Sequence, residues 1–165
     1  MPIVLFRVDE RLIHGQVVIG WGHELRPGRF VLVDDELSES EWEQELYRLG
    51  AVAAEVDFVS VREARDRVGE WRAAPDRTIL LTRDVATMRR LAEGGLLAGE
   101  QVNLGGIHHG PDRAEMLAYL HMTSTDRDHL RAMREEGVEV SAQDLPDAPR
   151  VTLESLLKQR TRRDE

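Results

Sequence analysis

One short segment holds most of the residues that can do chemistry. It reads Arg7-Val8-Asp9-Glu10-Arg11-Leu12-Ile13-His14-Gly15-Gln16. His14 stands where an apolar run gives way to a helical pattern, so its imidazole faces the free amides and the positive end of a helix. Positive surroundings disfavour imidazolium, which predicts a neutral, nucleophilic ring near neutral pH. The same amides, with Arg7 and Arg11, can hold an anionic group brought to the ring. Gly15 leaves room for that approach because it has no Cβ. Together these features describe a phosphoryl-acceptor site. A second reading has His14 capping or packing, while Arg7 and Arg11 pair with Asp9 and Glu10 on a solvated loop. The segment alone leaves both open.

Other groups offer less. Asp34-Asp35 ends an apolar run and can either hold Mg²⁺ through oxygen ligands or cap the next helix. Ser38 already supplies a cap there, so at least one Asp is left unassigned. Asn103–Gly110 is rich in glycine and contains His108 and His109. Adjacent histidines rarely converge on one ion, and HxxxH spacing is absent, so this reads as a loop lining a pocket and no metal is expected. His23, His121 and His129 are assigned no role. The sequence contains none of the phosphate-loop, dinucleotide or nucleophile-elbow patterns, which disfavours a nucleotide-dependent kinase, a dinucleotide enzyme and an α/β-hydrolase.

The elements that must carry these residues alternate in type. Short apolar runs at Ile3–Val8, Phe30–Val33, Val56–Val59, Ile79–Leu81 and Val102–Leu104 suit strands covered on both faces, with weaker candidates at Tyr119–Met122 and Val138–Val140. Helical spacing separates them: Val17, Trp21 and Leu25; Trp42, Leu46 and Leu49; Val61, Ala64, Val68 and Trp71. Ser38–Glu41 and Ser60–Glu63 read as capping boxes. Asp84 caps a helix over Val85, Met88, Leu91 and Ala92 that ends at Gly94-Gly95. Thr125 starts another over Leu130 and Met133, and Thr152 a last one, after a hinge at Pro146–Pro149. The expected fold is α/β, an open, mostly parallel sheet with helices on both faces, in a single domain over 1–165 with a charged tail at about 158–165. In such sheets sites form at the carboxyl ends of the strands, which is where His14, Asp34 and His108 fall. The three tryptophans are open between core and interface.

Composition narrows the classes. The chain has 165 residues, 41% hydrophobic and 32% charged, with no cysteine. That fits a globular chain and excludes a disulfide scaffold, a cysteine-ligated metal centre and a thiol nucleophile. Twenty-two basic against 31 acidic residues give a formal charge of −9, which argues against general binding to nucleic acid or anionic lipid. Residues 1–30 carry four arginines against three acids, so the His14 segment lies in the least acidic part. The Pro2–Leu5 run is too short for a signal peptide or a membrane span, and a cytoplasmic location is expected.

Arg7 to Val17 resembles the N-terminal active-site motif of the IIB components of the mannose/fructose/sorbose family of the phosphoenolpyruvate-dependent sugar phosphotransferase system. The similarity continues through Gly20-Trp21, Val31–Asp35, Glu93–Gly95 and Val102–His108, over roughly residues 2–142. The resemblance implies a protein-Nπ-phosphohistidine–sugar phosphotransferase: a phosphocarrier that takes a phosphoryl group from a phosphohistidine IIA protein onto its own histidine and passes it to a sugar at a membrane IIC/IID complex, without metal or nucleotide cofactor. It makes His14 the acceptor and Arg11 the phosphate-binding arginine. It gives site-organising or phosphate-binding roles to Arg7, Asp9, Gly15, Gln16, Arg29, Asp34 and His108. Asp9 is then expected to order the loop through Arg7 or Arg11, and both arginines to serve phosphate and partner. Location would be cytoplasmic, held at the inner membrane through IIC/IID. Glu10 stands where Asp is frequent in the family. Two other uses of the same residues remain: a regulatory phosphohistidine relay not coupled to transport, and a module that binds a phosphorylated metabolite without covalent change. A Mg²⁺-dependent receiver-like domain is the weakest.

Overall fold

The computed structural model describes residues 2–51 and 53–164, apart from the side chains of Gln16 and of residues 159–164. Its centre is a seven-stranded sheet made of β1 (Ile3–Val8), β2 (Arg29–Val33), β3 (Glu55–Val59), β4 (Thr78–Thr82), β5 (Gln101–Leu104), β8 (Glu139–Ala142) and β9 (Val151–Thr152), in the order β3-β2-β4-β1-β5-β8-β9. Six strands run parallel, and β9 pairs antiparallel with β8 at the edge. A separate hairpin, β6 (Ala114–Leu117) with β7 (Leu120–Met122), follows β5. The apolar run expected at Tyr119–Met122 therefore forms a strand outside the main sheet. The expected hinge at Pro146–Pro149 leads into the short edge strand β9.

Strand side chains alternate between two cores, as a period of two requires. Val31, Val33 and Leu80 enter one cluster, while Phe30, Leu32, Ile79 and Leu81 enter the other. Helices α3 (Val61–Ala73), α4 (Val85–Ala92), α5 (Ser124–Glu135) and α6 (Leu153–Asp164) cover the first face. The second is covered by a π-helical turn (Gln16–Trp21) that runs into α1 (Gly22–Leu25), and by α2 (Glu41–Gly50). The charged tail expected at 158–165 continues α6 to Asp164, and its side chains beyond Lys158 lie outside the described residues.

Caps at Ser60 and Asp84 form as expected, each side chain accepting from the backbone N–H three residues on. Two others differ. Thr123, not Thr125, caps α5 in a reciprocal box with Asp126. Ser38 sits in a 3₁₀ turn, donating to the Asp35 carbonyl, and the helix after it begins past Ser40.

Helix α2 presents the opposite face from a usual amphipathic helix. Trp42, Leu46 and Leu49 point outward, 69%, 59% and 78% exposed. The inward side carries Gln44, which donates to the Leu37 and Ser38 carbonyls, and Tyr47, which packs on the second core. Trp71 is fully buried and Trp21 nearly so, which makes Trp42 the one of the three that is not in the core.

Candidate functional site

The connection leaving β1 goes to one face of the sheet and that leaving β5 to the other, so the carboxyl ends of these neighbours open a crevice. Two loops meet there. The first is tied down by Asp9 N–H donating to the Thr82 carbonyl and Glu10 N–H donating to the Gly106 carbonyl. It then turns sharply: Leu12 N–H donates back to the Asp9 carbonyl, and Leu12 takes a left-handed φ of 57°. A branched residue in that region carries strain of about 1–3 kcal/mol. Full burial of Leu12, beside Ile13, in the second core holds it there. The turn returns His14 to the crevice, and its carbonyl accepts from Val18 N–H to start the π-helical turn.

Asp9 is the hub. Its carboxylate is fully buried and shared among five groups. Oδ2 lies 3.2 Å from Arg7 Nη2, 3.2 Å from His14 Nε2 and 3.4 Å from Gly106 N. Oδ1 accepts from Arg11 N–H at 3.2 Å and lies 3.7 Å from Arg11 Nε. Burial pushes the Asp9 carboxyl up. The close approach of the His14 ring, the charge of Arg7 and the Arg11 N–H outweigh it and hold the group below the usual carboxylate range. The charge nearest His14 is thus a carboxylate, which corrects the expectation of wholly positive surroundings.

The two arginines take different parts. Arg7 is fully buried. Its guanidinium donates to Asn103 Oδ1, to the Gln143 carbonyl at 2.8 Å and to the Asp144 carbonyl at 3.0 Å, and lies 5.1 Å from the Trp21 ring centre. The expectation that Arg7 meets a partner protein therefore fails, because no part of it reaches the surface. Gly105 follows from its position: a Cβ there would sit inside the Arg7 guanidinium. Arg11 keeps 39% of its side chain exposed and lies over Gly106, at the rim beside His14. Nothing stands within 4 Å of where a Gly15 Cβ would be, so that side of the loop is open.

The remaining expected residues separate. His108 joins the rim, its ring Nδ1 2.7 Å from Glu10 Oε2 and its backbone N–H donating to the same oxygen at 2.8 Å. Arg113 completes this clasp by donating to Glu10 and to the His108 carbonyl. His109 turns away, edge-on to His121. Asp34 accepts from Leu37 N–H and lies 3.6 Å from Arg83 Nε, whereas Asp35 accepts from Val61 N–H and pairs with Arg90. The adjacent acids thus cap different elements. Among the described residues no three His, Asp or Glu side chains gather as a metal-holding group. Arg29 is not at the site. It begins β2, at the amino end of the sheet, and pairs with Glu55, Asp57 and Asp76. A residue preceding a parallel strand lies a strand's length from the carboxyl-end crevice, which is why the expectation fails. The Gln16 side chain lies outside the described residues.

Sequence reasoning gave no part to Gln143, Asp144 or Arg113, and it did not foresee that Asn103 anchors Arg7 or that Glu10 fastens the second loop. The one available signal was Asn103, a polar residue inside an apolar strand.

Asp9, Glu10 and Asp35 all hold their protons less tightly than free carboxyls. For Glu10 burial raises the value, and the His108 hydrogen bonds and the Arg113 charge more than offset it; for Asp35 the Val61 N–H leads, followed by Arg90. Depressed carboxyls contribute stability that is complete above their unfolded value, about 4, and lost as pH falls through the folded values. The melting temperature should therefore stay level from neutral pH to about 5 and fall steeply below about 4. Glu10→Gln should make that acid fall shallower in a thermal melt series; an unchanged slope would contradict the clasp.

Comparison with known proteins places the chain as a whole. The sequence model of the sorbose subfamily IIB component of the phosphotransferase system matches residues 3–165. N-acetylgalactosamine-specific phosphotransferase enzyme IIB component 2 of Escherichia coli K12 is 32% identical over 162 residues, covering 95% of this chain and all of that protein. Component 1 from the same strain is 31% identical over 147 residues, covering 87% and 91%. A crystal structure of an N-acetylgalactosamine-specific IIB component 1 from Escherichia coli superposes with a TM-score of 0.82 at 28% identity, covering 91% of this chain and 98% of that one.

Proposed function

Since the chain belongs to the sorbose subfamily of IIB components of the phosphotransferase system, we propose that it carries a phosphoryl group on His14, received from a phosphohistidine IIA protein and delivered to a sugar entering through a membrane IIC/IID complex. Its relatives are sugar phosphotransferase components by name. The observation that carries the proposal is the contact between Asp9 Oδ2 and His14 Nε2 at 3.2 Å. A carboxylate on Nε2 keeps the proton there and leaves the lone pair on Nδ1.

The chemistry follows from this arrangement. The Nδ1 lone pair attacks the phosphorus of the donor phosphohistidine. The P–N bond of the donor breaks, and its imidazole leaves. Asp9 supports the positive charge that His14 acquires. Arg11, half in solvent, meets the phosphoryl oxygens, and the open side of Gly15 admits them. On discharge a sugar hydroxyl attacks the phosphorus, the P–N bond to His14 breaks, the imidazole leaves, and the hydroxyl proton passes to water. Such transfers depend on alignment and charge stabilisation more than on covalent machinery. Among the described residues no helix is long and apolar enough to cross a membrane. On this reading the chain meets the membrane through IIC/IID, from a cytoplasmic position.

The test is intact mass after incubation with phosphoenolpyruvate, the two general phosphotransferase proteins and a IIA protein shown active on another IIB. A gain of one acid-labile phosphoryl group supports the proposal. No gain, with stabilisation by a phosphorylated metabolite instead, would turn the reading to a non-covalent binding module. Arg11→Ala should slow uptake by about 100-fold or more, as removal of one charge-assisted contact to a transition state does. Its melting temperature should barely change, since the side chain lies at the rim. Wild-type kinetics in a rapid-quench assay would reject the role.

A further inference from the structure

The outward stripe of α2 is an anomaly for a chain of this composition. Trp42, Leu46 and Leu49 follow one another at helical spacing with more than half of each side chain in solvent. Single exposed apolar residues are ordinary, whereas a contiguous row headed by a tryptophan marks a contact surface. The row is also joined to the site. Ile13, the residue before His14, lines a shallow groove with Trp42, Leu46, Tyr47 and Arg83, and the C-terminal end of α2 at Gly50 abuts the Ile13 side chain.

From this we infer that the α2 stripe is the apolar centre of the docking surface for the phosphohistidine-bearing donor protein, an inference that rests on the phosphocarrier reading above. Geometry supports it first. A protein that brings a phosphoryl group to His14 must cover the ground around it, and a standard interface of about 800 Å² per partner is a disc of about 16 Å radius. The stripe is about 10 Å long at 1.5 Å per residue, and Trp42 and Leu46 share a groove with Ile13, which brings the stripe into the ground such a donor would cover. Charge then selects among occupants. Glu41, Glu43 and Glu45 flank the row on the same helix, with Arg48 paired to Glu45. An anionic lipid surface would be repelled by those acids. The stripe shares its groove with Ile13, beside the acceptor histidine, which favours the donor protein over a second copy of this chain. The complementary partner has an apolar patch ringed by Lys and Arg.

The experiment measures initial rates of phosphoryl uptake against the concentration of phosphorylated IIA protein, for wild type, Trp42→Ala and Leu49→Ser. Both side chains are mostly exposed, so the variants should fold, and circular dichroism checks this. The expected result is a KM raised about 30-fold for Trp42→Ala, the size of an interface hot spot, and less for Leu49→Ser, with kcat within about threefold. Labelling of His14 by phosphoramidate, which needs no protein docking, should be the same in all three. An unchanged KM overturns the inference. So does a wild-type dimer that Trp42→Ala dissociates in sedimentation, or stripe-dependent binding to vesicles of anionic phospholipid. Label from phosphoramidate with unchanged donor kinetics rejects the docking surface alone. No label from either source rejects the phosphocarrier reading, and the docking surface with it.

Discussion

His14→Ala should take up no phosphoryl group and still fold. The ring lies at the rim, with 14% of its side chain exposed. Removing it leaves Asp9 with Arg7, the Arg11 N–H and the Gly106 N–H. No uncompensated buried charge results, so the melting temperature should shift by only a few degrees. The chemistry has no substitute in the crevice: His108 is held on Glu10 and His109 turns toward His121. Mass spectrometry beside wild type, with a thermal melt of each, reads both halves of the expectation. Full uptake by the variant would sink the assignment of the acceptor.

Arg7→Met has the opposite character, with the fold damaged before the chemistry is reached. The substitution strands the Asp9 carboxylate in the interior, with only backbone N–H groups and the partly exposed Arg11 and His14 to balance it. It also takes the donors from Asn103 and from the Gln143 and Asp144 carbonyls. Breaking a buried pair by removing one partner costs about 3–5 kcal/mol. For a chain of this size that is a fall of roughly 10 °C in melting temperature. Arg7→Lys should lie in between, because an ammonium keeps the charge and loses the planar fork that reaches several acceptors. Urea unfolding would measure the series. A loss below about 1 kcal/mol for Arg7→Met would show that the buried cluster is held by packing alone.

Where the sequence was readable, one physical rule governed the outcome. Strands covered on both faces must be short and apolar, and such runs are easy to see; hence the parallel sheet and the carboxyl-end placement of His14, Arg11 and Asp9 were legible. Ser60 and Asp84 were legible as caps because a cap is a local bond over three residues. What failed was information carried by distance. The spacing of Trp42, Leu46 and Leu49 announces a helix but says nothing of which face another layer will cover. The polar Gln44 faces inward only because the Leu37 and Ser38 carbonyls wait there. Arg7 looked like a surface charge because its acceptors at Gln143 and Asp144 come more than 130 residues later. Arg29 was misplaced because closeness to a strand does not say which end of the sheet it occupies. The strand β9 has two residues, too few for any period to show.

The place of Arg7 has a consequence for the order of events during synthesis. Strand β1 leaves the ribosome before the other strands of its sheet and stands in the middle of the finished sheet. Besides Asp9 and Asn103, the guanidinium it carries needs the carbonyls of Gln143 and Asp144, 136 and 137 residues downstream. Closing so wide a loop is among the entropically slow steps of folding. Until the segment after β8 arrives, Arg7 has Asp9 and Asn103 but lacks its two backbone acceptors, and the floor of the loop bearing His14 is incomplete. The six parallel strands are thus all in place along the chain before the last supports of the His14 loop, and a product stopped short of Gln143 carries the whole Arg7–Val17 motif without two of the anchors that shape it.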